Sequence, residues 1–161
     1  VYAAAAGAGP ITNLDSSDDA LHLARRNLEL NGFDRPRDTY QQGDVFEMLR
    51  LYRDQARSFD LIVLDPPKLA PTRSYVQRAS RAYKDINLLS LKLLRPGGVL
   101  VTFSCSGGVD AMLFQKIVFS ASIDAERDVQ IIDTLTQGPD HPILLSFPES
   151  AYLKGLVCRV V

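Results

Sequence analysis

The amino-acid sequence predicts an α/β protein built on an open, doubly wound sheet, and three observations carry that prediction. Short apolar strand patterns alternate with helical spacings along the whole chain. One strand, Phe59-Asp60-Leu61-Ile62-Val63-Leu64, is a nearly continuous apolar run, as expected for a strand buried on both faces of a parallel sheet. Asp15, Asp44 and Asp65 each end a predicted strand, at the carboxyl rim where such sheets bind ligands.

Each element has its own local signal. Val1-Tyr2-Ala3-Ala4-Ala5-Ala6 reads as an apolar helix beginning at residue 1 with no capping residue before it. With neither an initiator Met nor the basic flank of a signal peptide, it reads as the start of a piece cut from something longer. Ile11-Thr12-Asn13-Leu14 is a short strand ending in Asp15, and Ser16-Ser17-Asp18-Asp19 supplies caps for the next helix. In that helix Leu21, Ala24 and Leu28 share a face, and Asn31-Gly32 stops it. Thr39-Tyr40-Gln41-Gln42 is a second strand, Gly43-Asp44 follows it, and residues 45–55 form a helix.

After Asp65-Pro66-Pro67 ends the long apolar strand, a helix is expected from Tyr75, with Val76, Ala79, Tyr83, Ile86 and Leu93 on one face and Pro96-Gly97-Gly98 as its stop. Residues 99–104 form the next strand, and Gly107-Gly108 opens a helix running through Ala111 to Ile117. Val129–Leu135 and residues 153–161 are the last two strands. Strands alternating with helices demand parallel crossovers, hence the doubly wound sheet.

Composition narrows the function classes. The chain has 161 residues, 46% hydrophobic and 23% charged, with Lys+Arg 18 against Asp+Glu 19 and a net charge of −1. That suits one ordinary folded domain without a global basic field, so any nucleic-acid contact needs a local patch or another domain. No run approaches the roughly 18 apolar residues of a membrane span, so no membrane partner is expected. Two cysteines, Cys105 and Cys158, are too few for a disulfide framework and point to a reduced, cytoplasmic setting. No metal site is read from the sequence.

The rim residues are the candidate site. A carboxylate at the end of the second strand of such a unit, here Asp15, suits a ribose diol because it accepts both hydroxyl hydrogens. The plainer reading of each aspartate is a cap for the following helix. These residues alone do not choose among a methyl-donor nucleoside, NAD and a nucleotide.

Leu14-Asp15-Ser16-Ser17, Gly43-Asp44-Val45-Phe46, Phe59 through Lys68 and Leu94-Arg95-Pro96-Gly97-Gly98 resemble consecutive motifs of the class I S-adenosylmethionine-dependent methyltransferases, over nearly the whole chain. More narrowly, Asp65-Pro66-Pro67-Lys68 with Phe103-Ser104-Cys105-Ser106-Gly107-Gly108 is similar to the bacterial 23S ribosomal RNA cytosine-5 methyltransferases that carry an N-terminal PUA domain. Leu69 departs from that pattern, standing where an aromatic residue is usual. The resemblance implies a Rossmann-like catalytic domain over residues 1–161, lacking its first strand, its glycine-rich loop and the upstream PUA and middle domains. It implies S-adenosylmethionine as cofactor and large-subunit ribosomal RNA as partner. By the same resemblance Asp15 and its neighbour Ser16 hold the cofactor ribose, Asp44 and Val45 contact the adenine, and Asp65 and Pro66 line the methionine and target-base end. Whether the protein forms a homodimer is not legible.

The chemistry implied needs a thiol. Carbon 5 of cytosine is a poor nucleophile, so a thiolate must first add to carbon 6 and push electron density onto carbon 5. Cys105 ends the strand expected to neighbour the one ending at Asp65, so it is the candidate nucleophile, with Asp65 as hydrogen-bond partner of ring nitrogen 3. The positive end of a helix starting at Gly107-Gly108 is expected to favour the thiolate. The base that removes the carbon 5 hydrogen stays open among Asp65, Lys68 and a water.

Lys68, Arg73, Arg78 and Arg81, with Lys84, Tyr75 and Tyr83, form a candidate phosphate-contacting surface beside the site, the alternative being a solvated helix face. Cys158 reads as core, His22 as surface and His141 as a turn residue. Two rival functions stand beside cytosine-5 methylation: methylation of a base nitrogen without covalent catalysis, and a non-catalytic scaffold with the same fold.

Overall fold

The computed structural model describes residues 1–33, 35–70 and 72–161, and all of their side chains except that of Arg73. These form two compact units, Val1–Met48 and Leu49–Val161.

The first unit contains α1 (Tyr2–Ala5), β1 (Thr12–Asp15), α2 (Asp18–Leu30), β2 (Thr39–Gln42) and the start of α3 (Val45–Asp54). β1 and β2 pair in parallel, Thr12 opposite Thr39 and Asp15 opposite Gln42, so a crossover must join them, and α2 is that crossover. Ser17 caps α2 through a 3.2 Å bond from the Ala20 N–H, Asp18 and Asp19 sit at its positive end, and Gly32 takes the left-handed φ of +73° that ends it. Leu21 and Leu28 fill the buried side. The approach to β1 is clamped by Asp38, whose buried carboxylate accepts the Ile11 N–H at 2.9 Å and pairs with Arg35 at 3.1 Å. Arg35 also donates to the carbonyls of Ala8 and Gly9.

The second unit contains the end of α3, β3 (Phe59–Leu64), a 3-10 turn at Arg73–Tyr75, α4 (Val76–Leu93), β4 (Leu94–Ser104), α5 (Ala111–Ala125), β5 (Val129–Leu135) and β6 (Lys154–Val160). Its strand order is β3-β4-β6-β5. α4 and α5 lie together and build the core with β4: Tyr83, Ile86, Leu89, Phe114, Val118 and Leu100 are all buried, and the Tyr83 and Phe114 rings meet edge-on at 5.7 Å. Cys158 joins this core, as its place in an apolar strand predicted. Among the described residues no helix is long and apolar enough to cross a membrane.

Four features differ from the sequence expectations. β6 runs antiparallel between β4 and β5, so the α/β sheet is mixed, and the β5–β6 connection needs no crossover helix. β3 is an edge strand of its sheet, with Leu61 and Val63 exposed at 48% and 61%, instead of buried on both faces. β4 begins at Leu94, opposite Phe59, and absorbs Pro96-Gly97-Gly98 as an irregularity before Val99 pairs with Leu61. Proline brings no N–H to the ladder and Gly97 has a φ of +79°, so pairing lapses there without ending the strand. Finally, α5 starts at Ala111, not at Gly107-Gly108.

Candidate functional site

In the first unit the carboxyl ends of β1 and β2 present two aspartates. Asp15, exposed at the end of β1, accepts the Ser17 N–H on Oδ1 at 2.8 Å. Its backbone carbonyl takes the Gly43 N–H at 3.0 Å, and the neighbouring Ser16 carbonyl takes Gln42 Nε2 at 3.2 Å. Asp44, also exposed, accepts the Phe46 and Glu47 N–H groups on Oδ1 at 2.8 and 3.2 Å, capping α3, of which half-buried Val45 is the first residue. A Cβ at Gly43 would lie 2.8 Å from Met48 Cγ, so a larger residue there would require the Met48 side chain to shift. Asp44 thus does cap a helix, whereas Asp15 closes a turn onto Ser17, the residue that caps α2; each keeps Oδ2 without a hydrogen-bond partner among the described residues. Two spare carboxylate oxygens at one strand-end rim fit a ligand that offers hydroxyl and amino hydrogens.

In the second unit Asp65 and Cys105 leave neighbouring parallel strands at the same end. Leu64 of β3 lies opposite Thr102 of β4, so Asp65 stands one residue past that pair and Cys105 three. The offset of two residues is roughly 7 Å along the strand direction. Asp65 is exposed and Cys105 half-buried, so both are open to an entering group; Pro66 is half-buried and Lys68 exposed.

The loops that follow the two strands are tied together through Ser106. Its Oγ accepts the Ala70 N–H at 3.0 Å and shares a 3.0 Å hydrogen bond with the Tyr83 hydroxyl of α4, and all three residues are buried. Lys154, opposite Ser104 across the β4–β6 ladder, donates from Nζ to the carbonyls of Ser106 and Tyr152, both at 2.8 Å. Burial lowers the Lys154 pKa from its ordinary value; Cys105 and Asp110 push it back up, and Lys68 lowers it further.

The later start of α5 changes the electrostatics expected at Cys105. Asp110 is the N-cap, its Oδ1 accepting the Leu113 N–H at 2.8 Å, so a carboxylate already occupies the positive end of the helix. The helix end is therefore not the cation for this thiol.

Arg78 and Arg81 are exposed on α4, and the Arg73 side chain lies outside the described residues. A shallow groove of about 280 Å³ between α4 and α5 is lined by Arg81, Lys84 and Lys116 around Ile117. Lys84 is paired with Asp124 at 2.6 Å, which leaves Arg78, Arg81 and Lys116 as the stronger cations of this surface. Tyr83, within the basic stretch, belongs to the core.

A sequence model of the family described as S-adenosylmethionine-dependent methyltransferase matches residues 1–159. The chain belongs to that family. It is 54% identical over 160 residues to Ribosomal RNA large subunit methyltransferase I of Shewanella amazonensis, a match covering 99% of this chain and 40% of that protein. It is 51% identical over 161 residues to the protein of the same name from Klebsiella pneumoniae, covering 100% of this chain and 40% of the relative. The chain thus spans about two fifths of the length of the curated relatives it matches. The crystal structure of SMU.776 complexed with SAH shares the fold, with a TM-score of 0.84 over 98% of this chain and 41% of that one at 22% identity.

In this methyltransferase chain, sequence reasoning passed over Ser106 and Lys154. Ser106 had a signal: Thr102, Ser104 and Ser106 alternate along β4 and its exit, and all three are fully buried, so polar groups at period two faced the core. Lys154 had none, because only the β4–β6 register brings it to the cysteine loop. His22 is exposed and pairs with Asp18 at 3.3 Å, and His141 stands exposed in its turn.

Proposed function

We propose that this chain is the catalytic part of a ribosomal RNA methyltransferase that methylates carbon 5 of a cytosine in the large-subunit RNA, with Cys105 as nucleophile. The observation that carries the reading is the pairing of Asp65 and Cys105 past the ends of parallel neighbours, with Ser106 joining the two loops. Base-nitrogen methylation does not require a half-buried thiol at that place, and a scaffold requires neither residue.

The mechanism follows from these groups. The Cys105 thiolate adds to carbon 6, forming the S–C6 bond, and the C5–C6 π pair moves toward carbon 5 and the ring. Asp65 hydrogen-bonds ring nitrogen 3 and stabilises the charge that develops there. S-adenosylmethionine would supply an electrophilic sulfonium methyl for carbon 5; Asp15 with Ser16 would hold its ribose and Asp44 with Val45 its adenine, through the spare carboxylate oxygens, and Pro66 would line the methionine end. Carbon 5 would use its pair to bond the methyl carbon, the S–CH3 pair staying on the donor sulfur; a base then takes the carbon 5 proton, the C5–C6 double bond re-forms, and the S–C6 pair returns to Cys105. Asp65, Lys68 and a water remain the candidates for that base. Arg78, Arg81 and Lys116, joined by Lys68 and Arg73, hold RNA phosphates, since the net charge of −1 gives no attraction by itself. A ribosomal substrate makes the cytoplasm the place of work.

RNA carrying 5-fluorocytosine tests the proposal, because fluorine at carbon 5 cannot leave as a proton and the adduct accumulates. The full-length protein with S-adenosylmethionine should give a covalent RNA complex that Cys105→Ser abolishes and Cys158→Ser retains. Methyl incorporation into ordinary RNA without any such complex would transfer the reading to base-nitrogen methylation. Neither adduct nor methylation would leave a scaffold.

A further inference from the structure

We propose that Lys154 is the positioning residue that holds Cys105 in its thiolate form, its ammonium anchored to the cysteine loop by the carbonyls of Ser106 and Tyr152. The inference rests on the nucleophile assignment above and names the cation which that assignment lacks.

The argument begins with β-sheet register. Ser104 ends β4 and Lys154 begins β6 directly opposite, so the lysine stem starts beside the residue preceding Cys105. Nζ then reaches the carbonyl of Ser106, the residue following Cys105, at 2.8 Å. The second carbonyl, that of Tyr152, fixes it from the other side at 2.8 Å. The two carbonyls are satisfied by two N–H groups, and they hold the charged end of Lys154 at the residue that follows Cys105.

The competing cations are poorer. The positive end of α5 is occupied by the Asp110 carboxylate. Lys68 is exposed, so water screens its charge, whereas Lys154 is half-buried and screened less. The charged and titratable groups that act on Lys154 are Cys105 and Asp110, which favour its ammonium, and Lys68, which opposes it. A cation and a thiolate held in one loop attract each other, and such a coupling acts equally on both groups. Ionisation itself is a simple loss: the Cys105 S–H bond breaks, the proton passes to water, and Lys154 keeps its three protons and forms no covalent bond.

Two reciprocal titrations test this in the full-length protein. The pH profile of iodoacetamide alkylation at Cys105, read by mass spectrometry, is compared for wild type, Lys154→Gln and Lys154→Arg. Gln keeps a donor without the charge, so alkylation at pH 7 should slow by about three- to tenfold, a rise of about half to one pH unit in the thiol midpoint. Arg should stay near wild type. If Lys154→Gln does not fold, Cys105→Ser supplies the other side of the linkage. Removing the thiolate should lower the midpoint for acetic anhydride acylation of Lys154. An unchanged Cys105 profile in folded Lys154→Gln, or an unchanged Lys154 midpoint in Cys105→Ser, overturns the inference. The fluorocytosine trap separates this outcome from the parent reading: an adduct without linkage removes Lys154 alone, and linkage without an adduct removes the nucleophile assignment and keeps the charge pair.

Discussion

Ser106→Ala should destabilise the protein strongly although it deletes a single oxygen. The Oγ atom serves two buried partners, the Ala70 N–H and the Tyr83 hydroxyl, each at 3.0 Å, in surroundings where Ser106 and Tyr83 are 0% exposed and Ala70 1%. Removing it leaves both partners unpaired in an apolar setting. At about 1–3 kcal/mol for each orphaned group, less the relief from no longer burying the serine hydroxyl, the loss is about 2–4 kcal/mol. For a chain of this length that corresponds to a melting temperature lower by roughly 5–15 °C. Urea unfolding followed by circular dichroism gives the free energy, and Tyr83→Phe completes a double-mutant cycle. In the Tyr83→Phe background there is no hydroxyl left to orphan, so Ser106→Ala should cost about 1 kcal/mol less than in wild type. A single-mutant loss under about 0.5 kcal/mol, or strict additivity in the cycle, would refute the reasoning that Ser106 joins the two loops.

Gly155→Ala should cost about 1–3 kcal/mol, measured by the same unfolding, because the added methyl would stand 2.6 Å from Phe103 Cε1 and 2.9 Å from Leu135 Cβ; wild-type stability would show that the Phe103 ring yields freely. Asp15→Ala should weaken S-adenosylmethionine binding by about 1.5–3 kcal/mol in calorimetry, with little loss of folding stability, since its bond to Ser17 is exposed; unchanged affinity would reduce Asp15 to a capping residue. Burial pushes the Cys158 thiol up to about 11 from an ordinary 9.0, so at pH 8 roughly one molecule in a thousand carries that thiolate, and alkylation should mark Cys105 and spare Cys158. The folded state holds the Cys158 proton longer than the unfolded chain, so its contribution to stability is present below pH 9 and is lost as pH rises from about 9 to about 11. Equal labelling of both thiols at pH 8 would contradict that burial.

Much of the fold was legible because its signals are local. The capping run Ser16-Ser17-Asp18-Asp19, the stop at Asn31-Gly32, the apolar run of β3 and the strand at Val129–Leu135 each depend on a few adjacent residues, and the structure has them there, with Ser17 as the cap itself. What failed depends on neighbours in space. Whether Leu61 and Val63 are covered is decided by what lies beside β3, and the direction of β6 is decided by its partners, since the same residues pair as well either way. The Pro96-Gly97-Gly98 stop misled for a related reason: α4 had already ended at Leu93, and pairing of Leu94 with Phe59 drew the chain into the sheet before the glycines were reached.

The candidate site divides along the same line. Asp65 and Cys105 could be placed together because a parallel β3–β4 pair follows from the order of elements, and that pair is observed. The helix supposed to support the thiol was set at Gly107-Gly108 by proximity in sequence, although Asp110 stands immediately before Ala111 and aspartate outranks glycine as an N-cap. The capping preference that marks Ser16-Ser17-Asp18-Asp19 as a helix start marks the start of α5 as well, and it brings a negative charge to that helix end. Once Asp110 is in place, a thiolate at Cys105 needs a cation from elsewhere, and the candidate lies 48 residues beyond Ser106, on an antiparallel strand whose register no local pattern encodes. A lysine leading an apolar strand therefore carries no local sign of that position. For the same reason the reciprocal titration of Cys105 and Lys154 tests the arrangement of this site more sharply than another substitution at the rim.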